Sequence, residues 1–186
     1  MTSTESQTTE QTTTSRPLIP LNYANDTIIS IYNTIAGKTI GGFNGTYNDS
    51  SNGPHSAIDN NLETTYLNTA QRGVNTGFVV VPSISNSTVA CRIQFAGARY
   101  HQRNPLTVTL EGSNVATIDA LIIHSNWTLL YNGSTGIPPN ATGFKFYDAQ
   151  IFKNTKSFRS YRLLITSTGG SSLGAEYSEA RIIGYI

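Results

Sequence analysis

The apolar residues of this chain come in short runs, and each run is cut within a few residues by glycine, proline, asparagine or serine. Thr27-Ile28-Ile29-Ser30-Ile31-Tyr32 is the first. Gly77-Phe78-Val79-Val80-Val81 is stopped by Pro82, and its continuous apolar character suits a strand covered on both faces. Val89-Ala90-Cys91-Arg92-Ile93-Gln94-Phe95 and Leu106-Thr107-Val108-Thr109-Leu110 alternate, with Leu106, Val108 and Leu110 expected inward. The run from Trp127 to Tyr131 is expected to end at the turn dipeptide Asn132-Gly133. Segments 142–147, 161–166 and 179–185 complete the set. Period-two alternation and frequent turn residues point to half-buried strands. The pattern predicts an all-β fold, a jelly-roll β-sandwich of about eight antiparallel strands. Segment 115–124 fits that pattern poorly and reads as an inserted connection.

The length, 186 residues, suits one domain with a real core and no disulfide staples. Residues 1–16 are nearly all Thr, Ser, Gln and Glu; they read as a disordered tail or linker ahead of a domain spanning 17–186. Only 12% of residues are charged and the net charge is +1, so no field of one sign recruits nucleic acid. No apolar run approaches the ~20 residues of a membrane-spanning helix. Cys91, the single cysteine, reads as a buried core thiol sharing a face with Val89, Ile93 and Phe95. Sequons at Asn25, Asn44, Asn48, Asn86, Asn126, Asn132 and Asn140 hint at an extracellular or cell-surface route. No Gly-x-Ser-x-Gly elbow, phosphate loop or Cys–His arrangement appears, so nothing proposes catalysis.

Two stretches at opposite ends look like halves of one site: Ser56-Ala57-Ile58-Asp59-Asn60-Asn61-Leu62-Glu63-Thr64-Thr65-Tyr66 and Tyr177-Ser178-Glu179-Ala180-Arg181. A sandwich that joins first and last strands sets Asp59 beside Glu179. Two carboxylates in contact repel unless a cation lies between them. Calcium takes six to eight oxygens of the kind these stretches supply, whereas magnesium demands strict octahedral geometry and prefers to keep its waters. In the alternative reading, Asp59 caps its own turn and Glu179 pairs with Arg162 or Arg181. His55, His101 and His124 have no zinc-like spacing.

Ala57-Ile58-Asp59-Asn60-Asn61 with Thr64 and Tyr66, then Leu110-Glu111-Gly112-Ser113-Asn114, Trp127-Thr128-Leu129-Leu130, Tyr161-Arg162-Leu163-Leu164-Ile165 and Tyr177 to Gly184, follow one another in a familiar order. In that order and spacing they resemble the discoidin, or coagulation-factor type C, domains of the galactose-binding-like superfamily. Asn60 stands where that family usually has Gly, and Asn tolerates the left-handed backbone. Tyr66 replaces the usual Trp as a core ring. The resemblance implies a structural calcium held by the side chains of Asp59, Thr64 and Glu179 and the carbonyls of Ser56, Asn61 and Ser178. It also implies that the loop after Phe95 contributes to a sugar site. Arg99, His101 and Arg103 are the expected polar contacts and Tyr100 the ring. Tyr47 and its loop 43–53, with loop 168–176, are the expected walls. The reading open beside it is an ordinary solvated loop whose arginines pair with surface acids. The expected role is recognition of a glycan or glycoprotein surface, without membrane insertion. A protein-interaction, adhesion or spacer module of the same fold is the alternative.

Overall fold

A computed structural model describes residues 16–45, 50–170 and 174–186 of the chain. The described residues form two main antiparallel sheets packed face to face. The larger contains β2 (Thr27–Tyr32), β3 (Gly42–Phe43), β5 (Thr76–Val81), β7 (Pro105–Ser113), β8 (Thr128–Ser134) and β10 (Ser160–Thr168), in the order β3-β2-β5-β10-β7-β8. The smaller contains β1 (Ile19–Pro20), β6 (Val89–Ala96), β9 (Gln150–Ile151) and β12 (Glu179–Tyr185), in the order β1-β12-β6-β9. A third ladder pairs β4 (Tyr66–Asn68) with β11 (Ala175–Tyr177). The all-β sandwich expected from the alternating runs is the architecture observed.

The core lies between the sheets and includes Phe78, Val80, Ile93, Phe95, Leu110, Leu163, Tyr177 and Ile182, all buried. Residues of opposite parity on the larger sheet face the other way. Ile29, Ile31, Val79 and Leu164 meet Leu121 and Trp127 in a second cluster. A short helix, α1 (Ile118–Ile122), and partly buried Ala36 and Ile40 cover that outer face. The segment read as an inserted connection is this cover. It explains why β5 and β10 are apolar on both faces. Arg162 of β10 lies wholly buried on the same side. Its Nε donates to Glu111 Oε2 at 2.7 Å and its Nη1 to the Lys38 carbonyl at 2.7 Å. The guanidinium carbon sits 4.3 Å from the Trp127 ring centroid.

Three expectations are corrected, and one is extended. The Asn132-Gly133 dipeptide does not end β8; the strand runs on to Ser134, where Gly133 pairs with Val108. Segment 142–147 is no strand: Gly143 takes φ 91°, and its contact with β6 is an isolated bridge between Phe146 and Ala96. Cys91 is half-buried and does not join the core cluster. Gly184 pairs with Ala90 and Ile183 with Arg92, so Cys91 is the extra residue of a β-bulge that turns Ala90 inward in its place. Tyr66 is more than a core ring. Its hydroxyl donates to the Gly77 carbonyl at 2.7 Å, accepts from Asn68 Nδ2 at 3.0 Å and lies 2.7 Å from Ser30 Oγ, a buried polar network. The tail expected over 1–16 lies outside the described residues except for Arg16, which is exposed and donates to the Ile186 carbonyl at 3.3 Å.

Candidate functional site

Pro54–Ala57 forms a 3-10 turn, and the chain then passes through Asn60 with φ 59° in the left-handed region. That conformation is cheap for Asn because its short side chain bonds locally. Asp59 folds back on the turn: Oδ1 accepts the Asn61 amide at 2.9 Å and Oδ2 accepts the Thr64 hydroxyl at 2.7 Å. The same hydroxyl lies 2.9 Å from the Asn61 carbonyl, and Asn61 Oδ1 accepts the Glu63 amide at 3.0 Å. Glu179, 1% exposed at the start of β12, reaches this turn from the far end of the chain and accepts the Asn61 amide at 3.1 Å. Both carboxylates therefore converge on one amide.

Burial pushes the Glu179 carboxyl up to about 7, and the neighbouring Asp59 carboxyl raises it further within that value; the Asn60 amide and Arg181 oppose the rise. Arg162 belongs to Glu111, and Arg181 bonds Asn60 Oδ1 beside the Phe146 ring. The self-capping of Asp59 and its meeting with Glu179 thus occur together, while neither arginine lies within salt-bridge distance of Glu179 among the described residues. Ser56 sits in the 3-10 turn with Oγ donating to the Ser51 carbonyl at 2.9 Å. Ser178 spends its side chain on the Gly97 carbonyl at 2.5 Å. The donor set around the two acids is all oxygen: two carboxylates, a hydroxyl and backbone carbonyls. Among the described residues no three His, Cys, Asp or Glu side chains gather as a metal centre. The chemistry present fits a hard cation with mixed carboxylate and neutral oxygen ligands. A cleft of about 420 Å³ opens beside the turn, bordered by Tyr23, Asn25, Asp59, Asn60, Glu179 and Arg181.

The second candidate region begins one residue from the end of β6. Arg99 and Tyr100 are exposed, and His101–Arg103 makes a 3-10 turn. The Tyr100 ring, 48% exposed, has the Arg99 guanidinium at 5.6 Å and that of Arg103 at 5.3 Å from its centroid. Buried Asn104 fastens the loop: Oδ1 accepts the Ala98 amide at 2.9 Å and Nδ2 donates to the Ala141 carbonyl at 2.8 Å. Gly169 presses on the same loop, where a Cβ would come within 2.1 Å of the His101 carbonyl oxygen. Arg103 Nη1 lies 2.9 Å from Glu176 Oε2, so that arginine has an acidic partner as the solvated-loop reading supposed. Arg99 and His101 have no such partner among the described residues. Tyr47 lies outside the described residues, as do 171–173 of the second wall.

Sequence reasoning passed over Glu176 and Thr65, which join the two regions. Thr65 Oγ1 donates to Glu176 Oε1 at 3.3 Å, and the adjacent Thr64 bonds Asp59. Three residues after Glu176 comes Glu179. Tyr177 between them is buried, its ring packed edge-on against Tyr66 and Phe95 at 5.4 Å each. The Ser178 amide donates to the Ala96 carbonyl at 3.1 Å, which sets the acid turn beside the root of loop 97–104. The signal available was the spacing of Glu176 and Glu179 around one core tyrosine.

No family model matches the chain, and no curated protein matches it. Solved structures do. The family 32 carbohydrate-binding module of NanJ from C. perfringens, solved in complex with galactose, superposes with a TM-score of 0.57 at 11% identity, over 90% of this chain and 99% of its own. A family 62 carbohydrate-binding module from Xyl5A of Clostridium thermocellum gives 0.57 at 18% identity, over 90% and 97%. A chitosan-binding module from the chitosanase/glucanase of Paenibacillus sp. IK-5 gives 0.56 at 19% identity, over 88% and 98%. The chain shares the β-sandwich fold of these carbohydrate-binding modules.

Proposed function

We propose that this chain is a non-catalytic carbohydrate-binding module of an extracellular or cell-surface protein, stabilised by calcium and binding a glycan at loop 99–103. The observation that carries the sugar half is the Tyr100 ring, half in solvent, with two guanidinium groups flanking it at a loop end of the sandwich. An exposed ring offers a plane for the apolar face of a sugar, and Arg99 and His101 supply donors for its hydroxyls. The fold shared with galactose- and chitosan-binding modules supports the same reading. In the calcium half, Asp59, Thr64 and Glu179 hold the ion with the carbonyls of Ser56, Asn61 and Ser178. Calcium there would supply charge that offsets two acids and fixes the ends of two distant segments. Thr65 and Glu176, next along those segments, then hold Arg103 in place.

The test is titration of the chain with galactose, N-acetylgalactosamine and chitosan oligosaccharides at millimolar concentration, alongside a broad glycan array. Saturable binding lost in a combined Arg99→Ala, His101→Ala and Arg103→Ala variant of unchanged melting temperature supports the module. A silent array at concentrations suited to millimolar affinity refutes it.

A protein-interaction module is the second reading. It is favoured by the Arg103–Glu176 pair and by Ile35 and Ile123, which are 61% and 77% exposed beside the outer cover of the larger sheet. Partner binding that survives the triple variant and fails in Ile123→Asp would establish it.

A further inference from the structure

Seven asparagines of this chain head Asn-x-Ser/Thr sequons, and six of them are described: Asn25, Asn44, Asn86, Asn126, Asn132 and Asn140. All six are exposed. None of their side chains bonds to another described group; the Asn44 amide donates to the Ser30 carbonyl, the Asn126 carbonyl meets His124 Nε2, and Asn132 pairs with Thr109 in the sheet. Most asparagines outside sequons behave otherwise. Asn22, Asn68 and Asn104 are buried and bonded, and exposed Asn33, Asn60 and Asn61 each accept a hydrogen bond through Oδ1. Among the described residues the fold uses most of its other asparagine side chains as struts, Asn75 and Asn114 excepted, and leaves the sequon ones free of hydrogen bonds.

Two of the six have a particular position. The larger sheet ends in β3 on one side and β8 on the other. Asn44 directly follows β3, and Asn132 lies within β8, the longest edge strand at 7 residues. β3 and the edges of the smaller sheet, β1 and β9, have only 2 residues each, so β8 is the long edge among the described strands. A long open edge displays unpaired main-chain groups and invites pairing with another chain. β8 has exposed Leu129 and no proline to blunt it.

We infer that these asparagines are attachment sites for N-linked oligosaccharides, and that those on Asn44 and Asn132 cover the two open edges of the larger sheet. In the reaction, the side-chain amide nitrogen attacks the anomeric carbon of a polyprenyl-diphosphate oligosaccharide on a membrane-bound transferase. The carbon–nitrogen bond forms, the carbon–oxygen bond to the diphosphate breaks, and the amide proton is lost as the polyprenyl diphosphate leaves. At Asn86 the sequon threonine, Thr88, is 1% exposed and its hydroxyl lies 2.9 Å from that of Tyr161, so transfer there precedes folding. The inference rests on the extracellular half of the proposal above and is independent of sugar binding.

The test is secretion of the full chain from cultured animal cells behind a leader peptide, then site mapping. Digestion with an amidase in heavy-oxygen water converts each glycosylated Asn to a labelled Asp. Labelled Asp at both position 44 and position 132 of the folded, secreted protein is expected. Absence of the label at either site in protein with a native β-rich circular dichroism spectrum overturns the inference. Edge cover is read from the double variant Asn44→Gln, Asn132→Gln made in the same cells. Its monomer fraction by light scattering at high concentration should fall several-fold, with melting temperature unchanged. A double variant as monomeric as the parent overturns the covering role. Sugar titration of unglycosylated bacterial protein separates a failure here from a failure of the module itself.

Discussion

Glu111 and Glu179 are buried to the same degree, 1% exposed, and both lie on strands, yet they meet opposite surroundings. Glu111 lies on the outer face of the larger sheet beneath the α1 cover. The Arg162 guanidinium bonds one of its oxygens, and the Gly37 amide bonds the other at 2.6 Å. Glu179 lies at an end of the sandwich. It meets a second acid and an amide, and among the described residues no cationic side chain comes within salt-bridge distance. The first arrangement balances its charge internally. The second brings two like charges together, which a fold tolerates at a proton's or a cation's expense. The contrast separates a buried charge balanced within the fold from one that faces a like charge.

Breaking the balanced pair should have the largest effect. Arg162→Met leaves Glu111 buried without a counter-charge, and urea denaturation should show a loss of about 3–5 kcal/mol. That loss should be indifferent to calcium, since no part of the pair touches the acid turn. Next comes the Tyr66 network beside the core. Tyr66→Phe removes the hydroxyl's bonds to the Gly77 carbonyl, Asn68 and Ser30, while Asn68 Nδ2 still reaches Ser30 Oγ at 3.1 Å and the Ile31 carbonyl at 3.2 Å, so the change should cost about 0.5–1.5 kcal/mol in the same assay. Retention of full stability would show that the hydroxyl network is dispensable.

The acid pair should reveal itself through pH. In EDTA the folded chain keeps the Glu179 proton up to about pH 7, whereas an ordinary Glu releases it near 4.5. Between those values the unfolded chain binds fewer protons, so calcium-free stability should fall as pH rises from 4.5 to 7. Glu179→Gln should flatten that part of the profile. The smallest effect should come from Arg103→Ala. Its bond to Glu176 is partly exposed, and such pairs contribute about 0–1 kcal/mol. The variant should therefore alter ligand binding with little change in melting temperature.

Much of this contrast was legible before any coordinates. Alternation in β6 and β7 and the two-sided apolar run of β5 marked the sandwich, because strand period and burial write themselves directly into residue order. The meeting of Asp59 with Glu179 followed from closing first strand on last. Arg162 was read as a possible partner of Glu179; the structure gives it to Glu111, which faces it across one register position of β10 and β7. Cross-strand register of that kind is decided by the whole sheet and leaves little trace in local sequence. The bulge that moves Cys91 outward was hidden for the same reason. Glu176 escaped notice because its role depends on Arg103, 73 residues away in sequence, folding back onto it, a contact that residue type alone does not announce.

The most direct test of the central claim is a calcium titration of the thermal unfolding midpoint at pH 7.5, run in parallel on the parent chain, Glu179→Gln and Arg162→Met. Ligand that binds only the native state stabilises by about 2.7 kcal/mol at one hundred times its dissociation constant, which in a chain of this size raises the midpoint by roughly 5–11 °C. The account predicts such a rise, reversed by EDTA, in the parent and in Arg162→Met from its lower starting point, and none in Glu179→Gln. A midpoint in the parent chain that ignores calcium, or an equal rise in Glu179→Gln, would contradict it.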